Sequence, residues 1–113
     1  MAAQGFDVVP GTSIVIYLQS PKEKVWGILI SITTAGVVVR GLDLVIFDDW
    51  MRQEARGQEA LLGPATLFYP MHRLERLEKD ESQGILEGYA DRFLRETGRT
   101  VSAALGLDPD EGA

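Results

Sequence analysis

Three apolar, β-branched runs crowded between Gly11 and Arg40 constrain this chain more than any other feature: Ser13 to Leu18, Val25 to Ile32 and Gly36 to Arg40. The break from Gln19 to Lys24 is polar and carries Pro21, which has no N–H for a central ladder, so it is a loop. The second break, Thr33-Thr34-Ala35-Gly36, suits a four-residue hairpin connection. Runs and breaks of this kind dictate a β-meander. A period of two places Ile14, Ile16 and Leu18 on one face and Val15 and Tyr17 on the other. A strand apolar on both faces must be covered on both, by its own barrel and by a helix or neighbouring subunit. Gly27, early in the second run, marks a sharp bend, and Trp26 beside it is expected in the core with a partner for its indole nitrogen.

Beyond Gly41, the apolar residues Leu42 to Phe47 are expected to extend the third strand past a glycine kink. Asp48 or Asp49 would cap a short turn through Trp50, Met51 and Arg52, Glu54 to Gly63 is polar and holds two of the glycines, and residues 48–63 together read as an inserted loop. Pro64 to Pro70 begins a fourth strand and Arg73 to Glu78 a fifth. From Ser82 to Thr97 the spacing of Ile85, Leu86, Tyr89, Phe93 and Leu94 predicts an amphipathic helix, stopped at Gly98. Thr100 would cap a second short helix through Leu107. The expected organisation is therefore a lead-in at 1–10, a barrel at 11–80 with its insertion at about 48–63, a helical segment at 81–107 and an acidic tail at 108–113. A barrel of roughly 70 residues sits near the size at which one core is marginal, so a homo-oligomer is expected.

The chain has no cysteine, which removes disulfides, thiolate metal sites and a cysteine nucleophile. Its net charge of -6 argues against a nucleic-acid-coating surface. The acidity is concentrated in residues 42–63 and 81–113, while the strands before residue 42 carry a slight positive excess. No nucleotide-binding, hydrolase or zinc-protease motif is present, and the lone His72 lacks a nucleophile motif, so neither an enzyme nor a cofactor is expected. Asp43, Asp48 and Asp49 beside His72 are better read as caps and solvated turns than as metal ligands. The opening MAAQGFDVVPG has no basic start with an apolar run, and nothing approaches the roughly 20 apolar residues that span a bilayer. A cytoplasmic protein without membrane association is the expectation.

For nucleic acid, Tyr17, Trp26, Phe68 and Tyr69 supply rings, while Lys22, Lys24, Arg40, Arg73 and Arg76 supply charge. The order of the segments also resembles a known family. Ile14 to Leu18, followed by a loop and then Trp26 to Ile32, is similar to the first two strands of Sm-like proteins, nearest the bacterial RNA-chaperone Hfq branch. Gly36 to Arg40 resembles the next strand, and Phe68 to Leu77 looks like the segment holding that branch's Y-K-H motif.

The resemblance implies a mainly β fold, a small, strongly bent five-stranded Sm-like (SH3-like) barrel, here with its amphipathic helix at the C-terminal end. It implies a ring in which the fourth and fifth strands pair between subunits, through Thr66, Leu67, Phe68 and Leu74. It also implies single-stranded RNA as a partner, contacted by Lys24, Tyr69, His72 and Arg73. Pro70-Met71 stands where the motif has its lysine. The alternative is a protein-interaction or scaffolding module on the same barrel, meeting a protein partner through the acidic insert or helix.

Overall fold

The computed structural model describes residues 8–58 and 63–108. Expectations for residues 1–7, 59–62 and 109–113, which belong to the lead-in, the insertion and the tail, lie outside the described residues. Five strands, β1 (Ser13–Leu18), β2 (Glu23–Ile32), β3 (Gly36–Asp43), β4 (Ala65–Pro70) and β5 (Leu74–Lys79), form one antiparallel sheet. Three helices, α1 (Phe47–Ala55), α2 (Tyr89–Thr97) and α3 (Val101–Ala104), accompany it.

The strand order is β4-β3-β2-β1-β5. Although β4 and β5 are joined by a single 3-10 turn, Met71–Arg73, they lie at opposite edges and the sheet is not closed. One face nevertheless buries itself. Ile14, Ile16, Leu18, Val25, Leu29, Val37 and Val39 form a buried cluster flanked by Leu67 and Tyr69 of β4 and by Leu74 and Leu77 of β5. Among the described residues no helix contributes to it, so the strands curl around their own side chains to exclude water. The curl is made where Gly27 pairs with Gly41. A Cβ on Gly27 would come 2.8 Å from the Arg40 carbonyl oxygen, and one on Gly41 would overlap the Trp26 carbonyl. The two backbones therefore approach more closely than residues with side chains permit.

The opposite face carries the helices. Val15, Trp26, Ile28 and Leu42 of the sheet pack with Phe47, Trp50 and Met51 of α1, Phe93 of α2, and Val101 and Leu105. The rings interlock: Trp50 stacks on Phe93 at 4.7 Å between centroids, and Phe47 meets Trp26 and Tyr89 edge-on, each at 5.2 Å. The two-sided apolarity of β1 is thus covered on both faces within one chain, by the curled sheet and by the helices.

Several expectations are corrected. The third strand ends at Asp43, whose carboxylate accepts from the Val45 N–H at 2.9 Å and starts a 3-10 turn, Leu44–Ile46. Residues 47–55 are then helix rather than loop, with Phe47, Trp50 and Met51 buried on one side. Asp48 and Asp49 sit in the first turn of α1 and do not cap it. Finally, α2 begins at Tyr89, not Ser82. Gly84, with φ at 60°, turns the chain back so that Gln83 and Leu86 exchange backbone hydrogen bonds. Ile85 and Leu86, assigned above to the helix's apolar stripe, project into solvent instead. Thr100 caps α3 as expected, its hydroxyl accepting from the Ala103 N–H at 3.1 Å, but that helix ends at Ala104.

Candidate functional site

Two surfaces have the makings of a site: a cleft beside Tyr17 and the pair of unpartnered sheet edges. In the register of β1 with β2, Tyr17 stands opposite Lys24, and in that of β1 with β5 it stands opposite Arg76. Directly paired residues share a face, so both cations flank the one ring. The Arg76 guanidinium carbon lies 4.0 Å from the ring centroid and the Lys24 ammonium 5.4 Å. Glu78 fixes the arrangement by accepting from the Tyr17 hydroxyl at 3.2 Å and from Arg76 Nε at 3.1 Å. An open cleft of about 420 Å³ runs from here under the β1–β2 loop, lined also by Leu18, Lys22, Glu23 and Glu75. It offers an aromatic surface with three cations and two carboxylates around it.

The four residues expected to contact RNA do not converge. Lys24 lies in the cleft. Tyr69 turns to the inner face, half-buried against the curled sheet's core. Burial raises its phenol pKa, the charges of Glu23 and Asp43 raise it further, and Arg73 partly offsets them. Arg73 is committed to the β1–β2 loop: it donates to the carbonyls of Gln19 at 3.1 Å and Pro21 at 2.7 Å, with Glu23 at 3.6 Å. His72 has an exposed side chain on the 3-10 turn, while its backbone carbonyl accepts from Gln19. Among the described residues, no group of three or more His, Asp or Glu side chains is placed to hold a metal ion.

The expected interface residues separate by face. Thr66 and Phe68 pair with Arg40 and Val38 on the helix-bearing side and are exposed. Leu67 and Leu74 turn inward and are half-buried against the inner core. Among the described residues, β4 pairs only with β3, and β5 only with β1, so within them each leaves one row of backbone donors and acceptors without a strand partner.

Tyr17 and Arg76 were legible as a ring and a charge but not as one site. Their meeting depends on the β1–β5 register, which joins residues 59 positions apart. A second residue that the sequence did not mark is Asp80. Its carboxylate accepts from the Tyr89 N–H at 2.6 Å, the Ala90 N–H at 2.8 Å and the Ser13 hydroxyl at 2.7 Å, while the Trp26 indole donates to it at 3.3 Å. It caps α2 and ties that helix to the sheet. In comparisons with known proteins, the chain matches no family model, no curated protein and no solved structure.

Proposed function

We propose that this chain is an Sm-like self-assembling module, in which β4 of one copy pairs with β5 of the next to build a closed homo-oligomeric scaffold. One observation carries the reading: among the described residues, a single curled sheet ends in two free edges, β4 and β5, of six residues each. Pairing them is heterologous, and a heterologous contact builds a ring where its rotation closes and an open filament where it does not; the closed case is the one proposed. The exposed Phe68 on β4 supports the reading, because an apolar ring beside an unpaired edge is the feature that natural sheets otherwise avoid. The helices that cover the sheet present acidic groups outward, Asp49 and Asp91 among them, which suits a platform for a protein partner.

The test is hydrogen–deuterium exchange followed by mass spectrometry. Amides of β4 and β5 should be protected at high protein concentration and exchange faster on dilution, while those of β2 stay protected throughout. Edges that exchange at the same rate at every concentration would count against assembly.

The Tyr17 cleft favours a second reading, in which single-stranded RNA lies across it. There the guanidinium of Arg76 offers a planar surface for a base, and Lys22 and Lys24 offer charge for phosphate. Titrating a labelled oligo-A or oligo-U at low salt should give an affinity that falls steeply as salt is added and is lost in Arg76→Glu. Absence of binding at low salt leaves the scaffold reading alone.

A further inference from the structure

The turn from Gln83 to Leu86 is held rigidly yet displays its two largest apolar side chains to solvent. Gln83 and Leu86 exchange backbone hydrogen bonds of 2.8 and 2.9 Å. At its base, Ser82 Oγ accepts from the Gly88 N–H at 2.9 Å and donates to Asp91 at 2.6 Å. Glu87 receives a two-pronged hydrogen bond from Arg95, at 2.8 and 2.9 Å. On this frame Ile85 is 100% exposed and Leu86 72%. A fixed apolar tip loses little conformational freedom on binding, which is the property of a docking element.

Beside the turn lies an open groove of about 390 Å³ between Leu86 and Gln83 on one side and Leu77 to Lys79 of β5 on the other. It draws on three successive residues of β5, whose side chains alternate between faces, so it opens along the strand's edge.

We infer that this turn is a latch for a second copy of the chain: β4 of the neighbour enters the groove along β5, and its Phe68 seats against Ile85 and Leu86. The inference rests on the assembly reading and adds to it the residues that hold the joint. Three features select β4 as the occupant. It is the other strand with a free edge among the described residues, and its six residues match the six of β5. It carries no charge from Ala65 to Pro70, so it brings none against Glu78, Lys79 and Glu81. Phe68, 56% exposed, lies on the helix-bearing face, the side from which the turn springs at the start of α2.

The absence of cysteine makes the contact directly testable. Phe68→Cys and Leu86→Cys proteins, mixed and oxidised mildly, should give a disulfide-linked pair, whereas Phe68→Cys mixed with Leu94→Cys should not. Alongside this, Ile85→Asp/Leu86→Asp should weaken self-association at least tenfold without changing the melting temperature of the isolated subunit, both side chains being exposed. Undiminished assembly of the double variant, with no selective cross-link, overturns the latch while leaving edge pairing in place. A wild-type chain that stays monomeric overturns both.

Discussion

Gly27 and Gly41 face one another across β2 and β3, and at neither position is there room for a Cβ. The obstruction at Gly41 is the Trp26 carbonyl, which cannot swing aside as a side chain could, so Gly41→Ala forces the strands apart at the bend. The expected cost is about 1–3 kcal/mol, read as a lower midpoint in urea unfolding. An unchanged midpoint would mean that the close approach is not needed for the curl. Glu87 gives a second prediction at this scale. Hydrogen bonds from Arg95 hold its carboxyl pKa below the ordinary glutamate range. A depressed carboxylate stabilises the folded turn above its unfolded pKa, and that contribution is lost as the pH falls through its lower folded value. A carbon NMR titration should therefore find Glu87 protonating later, on acidification, than an unpaired glutamate, and Arg95→Gln should return it to the ordinary range.

Among the elements, α1 separates what the sequence alone conveys from what it does not. Trp50→Ala should destabilise the protein by about 3–5 kcal/mol, because the indole is fully buried between Trp26, Phe47 and Phe93. A loop tryptophan would cost far less, so chemical unfolding of this variant distinguishes helix in the core from insertion. The signal was present, since Phe47, Trp50 and Met51 fall at helical spacing, but Asp48, Asp49 and the polar residues after Met51 masked it. The meander was legible because short apolar, β-branched runs separated by polar breaks depend on near neighbours only. The start of α2 was not, because the side chain that caps it, Asp80, reaches back from the end of β5, and a glycine turn intervenes. The same holds for the cleft. Tyr17 and Lys24 face each other across a hairpin that the sequence outlines, whereas Arg76 joins them only through the β1–β5 register.

At the scale of the whole molecule, the helices and the curled sheet satisfy both faces of β1, while among the described residues the two sheet edges have no strand partner. The sequence asked for a helix or a neighbouring subunit over the outer face of β1; helices supply that cover within one chain, so the proposed assembly concerns the edges rather than the faces. Solution mass by light scattering coupled to size exclusion tests this most directly. Edge pairing predicts a species at a whole-number multiple, two or more, of the 12.4 kDa chain mass at high protein concentration, which dissociates on dilution. A single species at 12.4 kDa at every concentration would contradict it.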